Sequence, residues 1–279
     1  MMSRDILALL AFIFGSILGS FLNVLIYRLP RNESIVSPPS KCPHCGYRIH
    51  PWENIPVIGY LIVRGRCRNC QQRISLQYPI VEFAGGLVAA LVIWNTGLNW
   101  AAISVIVLFY LLGVAAIVDL RHQVIPDGIT LTGILLGIIL SSFQSPGFNG
   151  LFRSIFGILA GGGSLYLVAV FGNFVFQKES MGGGDIKLAA MFGAFLGWKL
   201  TLIGIFLGFF IGAVFGGIYL ALNRGKDDQQ TVTSDEAKVD KTAMPEGNVL
   251  PFGPSLALGA VGSLFWGNSL LNWYLTSFM

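Results

Sequence analysis

Apolar residues collect along the chain in eight runs: Ile6–Tyr27, Val81–Trp94, Ala101–Val118, Ile129–Leu140, Ile155–Phe176, Ile186–Gly197, Leu200–Leu222 and Ser255–Trp273. Runs of this kind predict helices that need lipid around them. Several fall short of the roughly 20 residues of a straight crossing, so flanking residues must complete them. Only Trp198-Lys199 separates the sixth run from the seventh. A tight hairpin and a re-entrant first arm both fit that spacing. The first run has no small-x-small cleavage site before its polar flank and is too long for a signal-peptide core, so a retained helix is expected.

Two polar segments interrupt the pattern. Residues 28–80 hold all four cysteines with many Arg and several Pro, and read as a small folded insertion of short strands and turns. Residues 224–248 are charged, poor in aromatics and without apolar periodicity, which predicts a mobile loop. The expected fold class is an all-α polytopic membrane protein with about eight transmembrane helices and a small zinc-binding insertion.

Composition closes off the other classes. Hydrophobic residues make up 54% of the chain and charged ones 11%, where a soluble domain carries roughly 25% charged. Mean hydropathy is +0.68. A soluble enzyme, a secreted disulfide scaffold and a nucleic-acid binder are excluded. The 35 glycines suit close helix contacts, as at Gly15/Gly19, Gly133/Gly137, Gly157/Gly161, Gly193/Gly197 and Gly212/Gly216.

Charge supplies the orientation. With eight spans and the N-terminus outside, the inner loops are 28–80, 119–128, 177–187 and 223–254. They hold all Lys and Arg except Arg4, Arg153 and Lys199. The positive-inside rule then puts both termini outside the cytoplasm.

Cys42-Pro-His-Cys45 and Cys67-Arg-Asn-Cys70 are paired CxxC knuckles. Two thiolates at that spacing grip a metal from one tight turn, and two such turns make the sulfur tetrahedron of structural zinc. Gly46 and Gly65 are placed to let the backbone turn near each knuckle. A redox dithiol pair is the plainer alternative, and a reducing cytoplasmic face argues against structural disulfides. Four protein ligands leave no position for a reacting water, so the metal would be structural.

Ionisable residues at membrane boundaries are costly and rarely idle. Asp119 ends the third run, and Asp185 follows Met181-Gly182-Gly183-Gly184 at the start of the sixth. The topology places both carboxylates at the cytoplasmic ends of helices, where they can meet. Two facing carboxylates share a proton, one activating water while the other polarises a peptide carbonyl. A place near a helix N-terminus favours Asp185 as the anion, although such a pair titrates as a unit. The glycines at Gly182 and Gly184 leave room for an extended substrate backbone. Taken singly, each Asp would cap a helix or pair with Arg121 or Lys187. Asp127, after Pro126, reads as a helix N-cap, and His122 as an interfacial polar residue.

In order, these motifs resemble one family. Gly19-Ser-Phe-Leu-Asn-Val24, Tyr27-Arg-Leu-Pro30, the two knuckles, Glu53-Asn-Ile-Pro56, Arg64-Gly-Arg-Cys67 and Ile74 to Glu82 come first. Asp119, Ile125-Pro-Asp127, Met181-Gly-Gly-Gly-Asp185-Ile-Lys187 and Pro251-Phe-Gly-Pro254 follow. The chain resembles the bacterial type IV prepilin peptidases, and the likeness covers nearly all of it.

The resemblance implies a GxGD-class aspartyl protease of the inner membrane, with Asp119 and Asp185 as its catalytic pair and Cys42, Cys45, Cys67 and Cys70 holding Zn2+. It divides the chain into a first transmembrane helix at 1–27, the cytoplasmic zinc insertion at 28–80 and a protease core at 81–279. The implied substrates are prepilins or pseudopilins, cut after a glycine on the cytoplasmic side. The new N-terminal residue, commonly Phe, is then methylated from S-adenosylmethionine. Ser180 stands where many members have Gly, outside the GxGD element.

The sequence contains no Gly-rich strand-to-helix turn for that cofactor. Glu53, Asn54, Arg64 and Glu82 are the polar candidates beside the insertion, with a structural role as the alternative for each. Two further readings remain: a peptidase without methyl transfer, and a cation-coupled transporter with a zinc docking module.

Overall fold

The computed structural model describes residues 3–144, 148–177, 181–223 and 251–278. In chain order the helices are α1 (Arg4–Arg28), α2 (Ile58–Ile62), α3 (Gln77–Thr96), α4 (Trp100–His122), α5 (Asp127–Gln144), α6 (Phe148–Phe176), α7 (Gly183–Leu196), α8 (Trp198–Asn223) and α9 (Gly253–Phe278). A 3-10 turn at Leu29–Arg31 extends α1. Each of the eight apolar runs forms one helix, of 14 to 29 residues. The expected mobile loop at 224–248 lies outside the described residues.

Helix ends follow local chemistry. Asn99 caps α4 by accepting from the Ala102 amide at 2.8 Å. The α7–α8 junction is the single residue Gly197, at φ +76°, a conformation that costs glycine little.

Among the described residues, six helices are long and apolar enough to cross a membrane: α1 with its 3-10 extension, α3, α4, α5, α6 and α8. The other two need different accounts. α9 has 26 residues but is not among the six. α7 has 14 residues, a rise of roughly 21 Å against a hydrocarbon core of about 30 Å. Leu188 to Leu196 are all buried on it. α7 is therefore the central post of the bundle, touching α4, α5, α6, α8 and α9. Gly197 joins the sixth and seventh runs in a tight turn, and the sixth faces protein from Leu188 to Leu196.

Glycines allow the closest contacts. Gly157 and Gly193 bring the backbones of α6 and α7 together, and Gly161 meets the Ala189 carbonyl one turn on. Ser141 on α5 and Ser154 on α6 both donate to the Ala194 carbonyl at 2.9 Å, which pairs buried hydroxyls within the core. A second unit, α1 against α3, joins the bundle mainly through α4.

The insertion departs from expectation. Two isolated antiparallel bridges, Lys41 to Arg48 and Arg66 to Arg73, replace the expected short strands, and no strand occurs among the described residues. Each knuckle closes on one bridge. The chain then turns away, towards Pro51 after the first and α3 after the second, so neither ladder extends.

Candidate active site and metal centre

Asp119 lies in the last turn of α4, which closes when the Gln123 amide, at φ +52°, donates to the Asp119 carbonyl at 2.8 Å. Its side chain is 6% exposed. One carboxylate oxygen, Oδ2, accepts from the Gly253 amide at 2.9 Å, across 134 positions of chain. Asp185 is the third residue of α7 and half-buried, with its amide turned to the Gly182 carbonyl at 3.2 Å. The two carboxylates are near enough for the Asp119 charge to act on Asp185. Neither is in an ion pair among the described residues.

The other site candidates sort themselves around this pair. Gly182 is exposed beside the Asp185 carboxylate, where an added Cβ would lie 3.7 Å from Oδ2. Gly184 turns towards Ile125, whose Cβ would lie 3.1 Å from a Cβ added at Gly184, and so packs the GxGD turn on the buried start of the Ile125-Pro-Asp127 segment. Asp127 departs from its expected role as a helix cap. It is the first residue of α5, and its carboxylate accepts from Lys187 Nζ at 2.6 Å. The Pro126 carbonyl instead receives the first amides of α5, those of Ile129 and Thr130. Lys187 is thereby held on Asp127, so the expected alternative of a Lys187 partner for Asp185 is not taken. Arg121 and His122 line a hollow of about 160 Å³ with Asn23, Arg31 and Tyr78.

Depth follows from helix register. The contacts from Gly157 to Gly193 and Gly161 to Ala189 place Asp185 level with about Leu165 of α6. α6 continues to Phe176, roughly 16 Å further. α8 likewise continues past Gly212, the residue beside Phe252, to Asn223. Both extensions expose apolar side chains, among them Phe171 and Phe174 on α6 and Phe215 and Ile218 on α8. The aspartates thus lie below the apolar ends of two flanking helices.

The four cysteines form one cluster. Their sulfurs all lie within 4.8 Å of one another, at 3.9 Å for Cys42 to Cys70 and 3.8 Å for Cys45 to Cys67. A zinc–sulfur bond of about 2.3 Å implies sulfur separations of about 3.8 Å in a tetrahedron, so the donor set fits zinc. These separations are far too long for disulfides, and all four thiols are free. The Cys45 thiol is held down to about 6, first by a hydrogen bond with the Tyr47 backbone. Cys70, despite a hydrogen bond with the Gln72 backbone, is pushed up to about 11 by desolvation and the other thiols. Four adjacent sulfurs cannot all ionise without a cation among them.

The knuckles are near-copies of one another. In each, the first Cys amide donates to a carbonyl five residues on, Tyr47 or Gln72, at 2.8 Å. The residue four after that Cys has positive φ, Gly46 at +71° and Gln71 at +58°. Gly46 takes its expected place. The matching position of the second knuckle falls to Gln71, while Gly65, at +66°, closes the turn before it against Tyr60.

Glu53 and Glu82 are committed to holding the insertion. Glu82 Oε2, on α3, accepts from the Val57 amide at 2.7 Å. Val57 is a β-branched residue at φ +62°, a strained conformation that an external contact must sustain. Glu53 Oε2 accepts from the His50 amide at 3.0 Å, and Oε1 faces Arg68 at 3.6 Å with no hydrogen-bond partner. The residue that sequence reasoning missed is Gly253, and its signal was Pro251-Phe-Gly-Pro254, a turn placed at the start of an apolar run.

Two family models match the chain. Residues 13–96 match the bacterial peptidase A24 N-terminal domain, and residues 106–217 match the type IV leader peptidase family. Curated relatives cover nearly the full chain. A prepilin leader peptidase/N-methyltransferase of Stutzerimonas stutzeri is 35% identical over 96% of this chain and 93% of its own. Proteins of the same name from Pseudomonas aeruginosa and Aeromonas hydrophila are 34% and 33% identical, over 94% and 97% of this chain and 91% and 94% of theirs. No solved structure matches.

Proposed function

The chain belongs to the type IV leader peptidase family, and from that premise we propose that it is a membrane-embedded aspartyl endopeptidase with N-methyltransferase activity. Its substrates are prepilins or pseudopilins. It removes their basic leader after a glycine on the cytoplasmic face of the inner membrane, and it methylates the new N-terminal residue from S-adenosylmethionine. The observation that carries the peptidase is the convergence of Asp119 and Asp185, 66 positions apart in sequence, beside the open Gly182 turn.

Chemistry at the pair needs no covalent intermediate. With one proton between them, the ionised carboxylate takes a proton from water as its oxygen attacks the scissile carbonyl. The protonated partner gives its proton to the carbonyl oxygen. The recess below α6 and α8 suits a substrate that is itself partly apolar. Its helix can lie in lipid against those extensions while the leader reaches the dyad from the aqueous side. The continuity of α4 and α7 up to the aspartates favours the peptidase over a transporter, whose ion sites lie at breaks within helices.

Cys42, Cys45, Cys67 and Cys70 would hold Zn2+, which supplies folding free energy to the insertion. Methyl transfer rests on the relatives, which carry the name prepilin leader peptidase/N-methyltransferase, together with the retained insertion. The test is intact mass spectrometry of a prepilin co-expressed with the enzyme. Loss of the leader plus one methyl group supports both activities, and Asp119→Asn or Asp185→Asn must abolish cleavage. Cleavage that survives either substitution overturns the dyad.

A further inference from the structure

The two aspartates are not equivalent, and α9 makes the difference. Gly253 is the first residue of α9, so its amide is one of the donors that a helix leaves free at its positive end. That amide is buried and donates to Asp119 Oδ2 at 2.9 Å. Pro251 and Pro254 have no N–H to offer in its place. Phe252 packs against Phe209 of α8, ring centroids 5.1 Å apart, which holds the turn in position. A Cβ at position 253 would lie 2.7 Å from Oδ2, so only glycine brings the amide this close. Among the described residues, no hydrogen bond reaches the Asp185 carboxylate.

Other charges near the pair are engaged elsewhere. Lys187 of α7 holds Asp127 of α5. Arg28 of α1 donates to the Ser34 and Pro38 carbonyls, and Glu82 of α3 holds the Val57 amide. On α4 itself, Arg121 and His122 line the hollow beside α1. The first two turns of α9 carry no charged residue. Asp185 is the titrating group that acts with Asp119.

We propose that the Gly253 amide divides the labour of the dyad, holding Asp119 as the anionic base and leaving Asp185 to carry the shared proton as the acid. This rests on the peptidase reading above and reverses the assignment that the α7 N-terminus alone suggests. A hydrogen bond to the charged form favours it, and Asp119 has one where Asp185 has none. The steps balance. Water gives a proton to Asp119 as its oxygen bonds to the carbonyl carbon, and Asp185 gives its proton to the carbonyl oxygen, forming a gem-diol. Asp119 then protonates the leaving nitrogen, Asp185 recovers a proton from a hydroxyl, and the C–N bond breaks. Gly253 is a positioning residue, since it touches Asp119 and not the substrate.

The test replaces the Gly253 amide by an ester. Cell-free synthesis of the full chain into lipid vesicles, with glycolic acid at position 253, exchanges the N–H for an oxygen and adds no bulk. Prepilin cleavage is followed across pH. Losing the donor makes Asp119 harder to ionise, so the acid limb of kcat/KM moves up by about one to two pH units. At pH 6, kcat falls about tenfold or more, with KM within twofold. Phe252→Ala, which loosens the same turn without touching Asp119, moves the limb the same way by less. Zinc content and helicity confirm that each variant is folded. An acid limb unmoved in both variants overturns the assignment even if kcat drops, since a purely structural role lowers the rate at every pH. If Asp119→Asn still cleaves, the dyad itself fails. If that variant is inactive while the ester variant behaves as the parent enzyme, only the role of Gly253 fails.

Discussion

The bundle around the aspartates and the insertion that hangs from α1 and α3 are stabilised by opposite means. On α7, every residue from Leu188 to Leu196 is buried, and the hydroxyls of Ser141 and Ser154 meet a single carbonyl, that of Ala194, in its last turn. Between residues 32 and 76, the buried hydrophobic residues are Cys42 and Cys67, and the Glu53 side chain is buried as well. The remainder is turns, one five-residue helix and two lone bridges. A segment with so little apolar burial does not meet the entropy cost of ordering its backbone. A metal bound by four thiolates does, at an apparent 10 to 16 kcal/mol or so in small zinc modules. Packing therefore fixes the protease half, and coordination would fix the other. The two halves should fail independently, and each variant below tests whether they do.

The largest effect belongs to the dyad. Asp119→Asn and Asp185→Asn each remove one partner of a proton-sharing pair and should lower cleavage by about a thousandfold or more. Zinc bound per chain should stay at the parent level in both. Loss of zinc from either variant would show that the halves are coupled.

Removing the metal is the reciprocal experiment. Cys42→Ser with Cys67→Ser, or a strong chelator, should unfold the insertion and abolish methylation. Cleavage should persist within about tenfold of the parent enzyme, because among the described residues no hydrogen bond or ion pair joins the insertion to the Asp119 or Asp185 carboxylate. Limited proteolysis between residues 32 and 76, read beside the pilin mass, checks both statements. Cleavage lost together with methylation would mean that the insertion also supports the bundle.

The two halves were unequally legible in the sequence. The helices were visible because an apolar run long enough to span has few other uses, and the sulfur cluster because paired CxxC turns leave one natural geometry. The place of α7 was hidden, since Leu188 to Leu196 read the same against lipid or against protein. Asp127 looked like a helix cap because Lys187, 60 positions away, is its partner only in three dimensions. Gly253 was seen as part of a motif, but an amide aimed at a carboxylate leaves no trace in residue chemistry. The second knuckle misled for a related reason, because a nearby glycine drew notice from the αL residue, which is Gln71.

A smaller effect tests the join between the halves. Glu82 holds the strained Val57 amide from α3, so Glu82→Gln replaces an anionic acceptor by a neutral one. Hydrogen bonds to charged groups are worth about 1.5 to 3 kcal/mol, roughly twice a neutral one. The expected cost is about 1 kcal/mol, which should lower methylated product about fivefold in single-turnover assays with cleavage unchanged. Equal loss of both activities would place Glu82 in the support of the bundle as well.

The smallest effect compares the knuckles with each other. Gly46 and Gln71 occupy matching left-handed positions, and an added Cβ at Gly46 would meet nothing within 4 Å. Any cost of Gly46→Ala is therefore backbone strain alone, about 1 kcal/mol, and zinc affinity should fall about fivefold in competition with a chelator. Gln71 already bears that strain. Gln71→Gly would relieve it, but would also free the unfolded chain by about as much and lose the weak Nε2 bond to the Arg68 carbonyl at 3.4 Å. Its zinc affinity should stay within about twofold of the parent value. A fivefold gain would mean that strain in the second knuckle limits metal affinity. A fivefold loss would mean that the Gln71 side chain, and not its backbone, holds that turn closed.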